Sequence, residues 1–183
     1  MKSNDKGFTL IELLVSAAIL GLIAIAAMGL MTTGARSYSA VGYSLRLQYE
    51  AQTAMSHLQE QVMDCNGGVV WDGSTLFLLQ LDPQGDIDKD RLHVYRFREG
   101  CIYYGNVPAK QAEPENAATD LLAEYVTDFQ AEITNAAGTA RTVNLTIALE
   151  RRNKAYTGTH TIALRNTPRT AASLHALLGT GGT

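Results

Sequence analysis

The chain has 183 residues, 18% of them charged, and a formal net charge of −3. So mild a balance gives no large basic surface of the kind that coats nucleic acid. Two cysteines and the four scattered histidines, His57, His93, His160 and His175, lack zinc-ligand spacing. No catalytic constellation stands out either: there is no nucleophile elbow, no nucleotide fingerprint and no paired histidine and acid.

The first element is apolar. Leu13 to Ala35 is a run of 23 residues without a charge, long enough to cross a bilayer as a helix. One acid, Glu12, interrupts the apolar character that begins at Phe8. A carboxylate at a membrane centre costs about 2.5–3.5 kcal/mol, and less toward the interface, so the position calls for a partner. A secretory signal peptide or an uncleaved anchor would explain the hydrophobicity alone. Neither explains Glu12, and the run is long for a signal peptide. Gly21 and Gly29 fall on one face of this helix, where they either let another backbone approach or reflect the ordinary glycine content of membrane helices.

The segment Lys6-Gly7-Phe8-Thr9-Leu10-Ile11-Glu12-Leu13-Leu14 resembles the prepilin processing site of type IV filament proteins. The likeness rests on a short leader with Lys2 and Lys6, glycine before the cut, an aromatic residue after it, and the acid at the fifth position of the mature chain. It implies cleavage after Gly7 by a prepilin peptidase, N-methylation of Phe8 and assembly with other pilins or pseudopilins. It also implies a role for Glu12 in assembly, facing the Phe8 amine of its own or a neighbouring subunit. Such pairing would offset the desolvation of the carboxylate and set the register between helices.

From Tyr38 to about Asp64 the pattern stays helical. Val41, Leu45, Tyr49, Met55, Leu58 and Val62 form the expected apolar stripe. A continuous helix from Phe8 to Asp64 would run about 85 Å. Asn66-Gly67-Gly68 then marks a change to strands at Val69–Trp71, Thr75–Leu81, Arg91–Phe97 and Cys101–Tyr104, with a tight turn at Glu99-Gly100. Leu121–Thr134 fits either strand or helix, because Leu122, Val126 and Phe129 also have helical spacing. Asn135-Ala136-Ala137-Gly138 joins two hairpin strands, Thr142–Arg151 alternates cleanly, and Gly158 opens a last strand at Thr159–Arg165. Residues 109–119 read as an exposed loop. Ala171–Leu178 reads as a short helix, free to pack on the sheet or reach a partner, followed by a glycine-rich tail.

The expected fold is therefore α+β: a long N-terminal helix packed on a C-terminal antiparallel sheet. Its divisions are a leader at 1–7, a membrane or filament-core helix at 8–35, a soluble helical half at 36–65, and a β-sheet head at 66–183. This order, the segment Leu122–Phe129 and the ending Leu164-Arg165-Asn166 also resemble minor pilins and minor pseudopilins, the PilW-like and J-subunit-like groups. That likeness implies a minor structural subunit, inserted in the cytoplasmic membrane with its head exported, then carried into a pilus, a secretion pseudopilus or a competence filament.

Three further expectations concern the head. Cys65 and Cys101 are candidates for a disulfide in an oxidising exterior. Asp86, Asp88 and Asp90 have the alternate spacing of a calcium loop, but the glycine and the closing acid of that loop are missing, and a solvated turn explains them equally. Arg91, Arg96 and Arg98 interleave with Tyr95, Tyr103 and Tyr104, which raises the alternative of a pilus-associated binding module, an adhesin or DNA-uptake receptor. Core packing is the competing use of those tyrosines, and nucleic acid is not the expected partner.

Overall fold

The computed structural model describes residues 9–86, 89–136 and 138–179. The chain divides into two compact units, Met1–Gly42 and Tyr43–Thr183. Helix α1 runs from Leu10 to Asp64. Nine strands follow: β1 (Gly68–Trp71), β2 (Thr75–Gln80), β3 (Arg91–Arg98), β4 (Cys101–Pro108), β5 (Asp120–Ala123), β6 (Val126–Ala136), β7 (Thr139–Arg151), β8 (Lys154–Ala163) and β9 (Arg169–Thr170). A short helix, α2 (Leu174–Gly179), lies near the C-terminus. The α+β expectation therefore holds.

The sheet order is β5-β4-β3-β2-β1-β9-β7-β6, with β8 also on β7. Neighbours are antiparallel except β1 and β9, which run parallel through Gly68↔Arg169 and Val69↔Thr170. Two hairpins close through two-residue turns with positive φ at both positions: Glu99 at 53° and Gly100 at 74°, then Arg152 at 49° and Asn153 at 60°. Such turns match the right-handed twist of paired strands. The last long strand therefore starts at Lys154 and passes straight through Gly158, four residues earlier than a glycine breaker suggests. The ambiguous Leu121–Thr134 segment resolves into two strands, β5 and β6, because pairing with β4 and β7 overrides its helical spacing.

Two cores form on opposite faces of the sheet. One face packs on α1 through Leu47, Ala51, Ala54, Met55, Leu58 and Val62, all buried. The stripe read from the larger side chains is thus half wrong: Val41, Leu45 and Tyr49 are 55%, 58% and 71% exposed. Ala51 and Ala54 take their place in the buried stripe, together with Leu47. The other face buries Val70, Phe77, Leu79, Leu92 and Val94 against Ala109, Ala118 and Leu177. Residues 109–119 are therefore a cover and not simply an exposed loop. Coverage on both faces also explains why β2 reads as an unbroken apolar run.

Glycine permits two of these contacts. A Cβ on Gly105 would lie 2.6 Å from the Ala117 carbonyl oxygen in the covering segment, and one on Gly68 would lie 2.5 Å from Leu177 of α2. The C-terminal end of α1 has no basic residue in its last turn; the strand-end segment supplies the missing partners. Arg165 donates its amide to Met63 O at 3.3 Å and its guanidinium to Asp64 at 3.1 Å. Asn166 Nδ2 donates to Asp64 O at 3.4 Å and Cys65 O at 3.2 Å. Carbonyls that a helix end leaves unpaired are satisfied in this way.

A polar array crosses the helix–sheet interface. The Tyr95 hydroxyl lies 2.9 Å from His57 Nδ1, the Tyr104 hydroxyl 2.8 Å from His93 Nδ1, and His93 Nε2 3.0 Å from Gln80 Oε1. With Gln80 accepting from Nε2–H, Nδ1 accepts from Tyr104, and the neutral ring is fully satisfied. Burial pushes the His93 pKa down, helped by the nearby charges of His57 and Arg91.

Two outcomes follow. Gly68→Ala should destabilise the head by about 1–3 kcal/mol through overpacking against Leu177, read as a lower urea midpoint by Trp71 fluorescence of the detergent-solubilised chain. Because His93 is held neutral in the fold, the unfolded chain takes up its proton first as pH falls. Its contribution to stability is complete above the ordinary histidine value of 6.5 and is lost as pH drops below it. His93→Gln should flatten the urea midpoint between about pH 7 and pH 5.

Candidate processing and assembly site

Gly7 and Phe8, the expected cleavage and methylation positions, lie outside the described residues. The first described residue, Thr9, shows how α1 begins. Thr9 N donates to Glu12 Oε2 at 3.0 Å and Thr9 Oγ1 donates to the same oxygen at 2.9 Å, while Glu12 N points back to Thr9 Oγ1 at 3.4 Å. With α1 starting at Leu10, Thr9 is the N-cap and Glu12 the third helical residue. This is a capping box, in which side chains satisfy two amides that a helix start leaves unpaired. The negative charge also suits the positive end of the helix dipole. The Thr-x-x-Glu spacing in the sequence already marks this partner of Glu12, nearer than the terminal amine expected from the resemblance.

Beyond Glu12 the helix is bare. Leu13, Leu14, Ile19, Leu20, Leu22, Ile23 and Ile25 are all more than half exposed, and among the described residues nothing beyond the adjoining turns of the helix lies within 4 Å of where a side chain would start at Gly21 or Gly29. The most apolar 18-residue window has a mean hydropathy of 2.6 and no burial within the chain, so its length and composition suit a membrane span. Two of its hydroxyls are satisfied locally: Thr32 and Thr33 both donate to Gly29 O, at 3.0 and 2.9 Å. A helix in lipid needs this self-sufficiency.

The prokaryotic N-terminal methylation motif matches residues 2–28. No curated protein and no solved structure shows significant similarity to the chain. The matched motif, the apolar helix and the sheet-bearing head support a type IV pilin-like protein. They are consistent with a membrane-anchored precursor that assembles with other pilins after prepilin peptidase processing.

The remaining candidates are not brought together. Cys65 and Cys101 are both free. Cys65 Sγ sits 3.3 Å from Gly68 O and 3.3 Å from Leu79 O. Leu79 pairs with Leu92 at one end of β3, whereas Cys101 pairs with Arg98 at the other. Six residues of strand put those ends about 20 Å apart, far beyond the ~7 Å limit between bridged α-carbons. The disulfide expectation is therefore corrected: loop length permitted the bond, but the strand register forbids it. Burial pushes the Cys65 thiol up to about 11, which keeps it unreactive.

Of the calcium-loop acids, Asp88 lies outside the described residues. Asp90 Oδ1 accepts from Asp82 N at 2.9 Å, and Asp86 pairs with Lys89 at 3.2 Å. Asp82 Oδ2 accepts the amides of Gln84 and Asp86 at 3.0 and 3.3 Å. These acids hold the turn itself. Among the described residues no group of three or more histidines, cysteines or acids is placed to hold a metal.

The arginine–tyrosine set separates between the two faces of the sheet. Tyr95 is fully buried on the α1 side. Arg96 donates to Glu115 O at 3.1 Å and Asn116 Oδ1 at 2.9 Å. Only Arg98 lies over a tyrosine of the set, 5.0 Å from the Tyr103 ring centre.

Thiol titration should find two free sulfhydryls in denaturant without reductant. In the folded chain Cys101 should alkylate at least about tenfold faster than Cys65, following exposure and thiolate character.

Proposed function

We propose that this chain is a minor pilin or minor pseudopilin, a structural subunit of a type IV filament system and not an enzyme. The reading extends to cleavage after Gly7, methylation of Phe8, and passage from the cytoplasmic membrane into a filament with the head exported. One observation carries it: the methylation motif at residues 2–28 opens a 55-residue helix that ends in a sheet-bearing head. The distribution of apolar side chains on α1 supports it further. Leu47, Ala51, Ala54 and Leu58 are taken by the chain's own sheet, while Val41, Leu45 and Tyr49, at spacings of four, face the other way and stay exposed. A subunit whose helices pack side by side needs both faces. The binding-module alternative draws little from the geometry, because Tyr95 and the exposed arginines do not share an open groove.

Expression beside an active prepilin peptidase tests the processing: the mature chain should begin at Phe8 with a methylated amine by mass spectrometry, and an intact leader would overturn it. Glu12→Gln separates two uses of that residue. Glutamine still accepts from Thr9 and keeps the capping box but has no charge for a neighbouring amine. Chain accumulation should stay near wild type while incorporation into filaments falls at least about tenfold, as loss of a desolvated charge pair demands. Normal incorporation would leave Glu12 a helix cap only.

A further inference from the structure

Three cations stand at the β7–β8 turn: Arg151, Arg152 and Lys154. Arg152, Asn153 and Lys154 are exposed. The arginines are held by aromatic rings. The Arg152 guanidinium lies 4.8 Å from the Tyr43 ring centre and donates to its hydroxyl. Arg151 lies 4.2 Å from the Tyr125 ring centre and 5.8 Å from that of Tyr43. The acids nearest in the chain are Glu150, opposite Ala155 in the hairpin, and Glu124, beside Tyr125. Arg46 of α1 is already paired with Glu50 at 3.3 Å.

The chain limits how far Tyr43 can lie from the apolar segment while that segment spans a bilayer. The uncharged run ends at Ala35, eight residues earlier. Eight helical residues rise about 12 Å, and even fully extended they reach only about 28 Å. The helical rise to Tyr43 is about one and a half Debye lengths in physiological salt, where that length is about 8 Å. The chemistry of the cations suits that place. Guanidinium groups form paired hydrogen bonds with phosphate oxygens, basic residues beside a span are drawn to acidic lipid, and tyrosine favours the interface.

We propose that the β7–β8 turn is a contact site for acidic phospholipid, with Arg151, Arg152 and Lys154 binding headgroup phosphates and Tyr43 and Tyr125 holding the guanidinium groups in place. The site would steady the head on the membrane before assembly and be given up on entry into a filament. It rests on the membrane-anchored reading above.

The test uses the full chain in nanodiscs of phosphatidylcholine, alone or with about one third phosphatidylglycerol. A nitroxide is attached at Asn153→Cys in a Cys101→Ser background, and its collisions with a water-soluble nickel chelate are measured. Acidic lipid should lower accessibility about threefold or more, and about 0.5 M salt should reverse the drop. The variant R151Q/R152Q/K154Q should enter the disc and lose the lipid dependence. Equal accessibility in both lipids, or a drop that survives in the triple variant, would overturn the proposal. Should loss of the arginine–tyrosine packing unfold the triple variant, Lys154→Glu replaces it; it should at least halve the lipid effect, and an unchanged effect is again contrary. A chain that fails to enter discs at all refutes the membrane anchor itself, which is a different result.

Discussion

The larger core of the head is arranged around one face of α1. Leu47, Ala51, Ala54, Leu58 and Val62 are buried to within 1–2% of complete coverage, and the inner faces of β1–β3 and β6–β8 are built against them. A helix with that stripe cannot remain in water, and a sheet with one apolar face cannot either; each removes the other's exposed surface. The segments after the sheet then close the arrangement. Arg165 and Asn166 return to the last turn of α1, and α2 seals the outer face through Leu177 over Gly68.

Earlier in the same helix that protection is absent. The residues from Leu10 to Met31 expose large apolar side chains, and none of the described residues buries them. The physics leaves lipid or other helices as the surroundings. Glu12 belongs to this bare region and is not a lone ion there: Thr9 gives it two hydrogen bonds through a capping box. Local satisfaction lowers the penalty of carrying an acid in such a segment and leaves acceptor capacity for the proposed pairing with a neighbouring subunit. The two roles are compatible, because a carboxylate has more acceptor capacity than one threonine can fill.

The turn at Arg152 and Asn153 shows how a structural requirement and a surface property meet. Left-handed φ values of 49° and 60° are what a two-residue hairpin demands, and arginine is an unusual residue to place there. The same geometry directs Arg152 toward Tyr43, close along the chain to the apolar segment. Charge, aromatic packing and covalent reach then coincide at one point of the head.

Elements whose signals are local are legible in the sequence. The uninterrupted helix from the apolar run through Asp64, the Glu99-Gly100 turn, the clean alternation of β7 and the α+β order follow from periodicity and turn chemistry, which act over a few residues. The methylation motif is of the same kind, and so is the Thr-x-x-Glu spacing of the Thr9–Glu12 capping box. Which apolar face of α1 is buried depends on the fold, because Ala51 and Ala54 are covered by strands distant in the chain and are not marked out by their own hydrophobicity. Tertiary structure also turned residues 109–119 into a cover, split Leu121–Thr134 into two strands, and placed Cys65 and Cys101 at opposite ends of β3. Each of those outcomes depends on strand order and register, which are set by pairings between residues far apart in the chain and leave no mark in any short window of sequence.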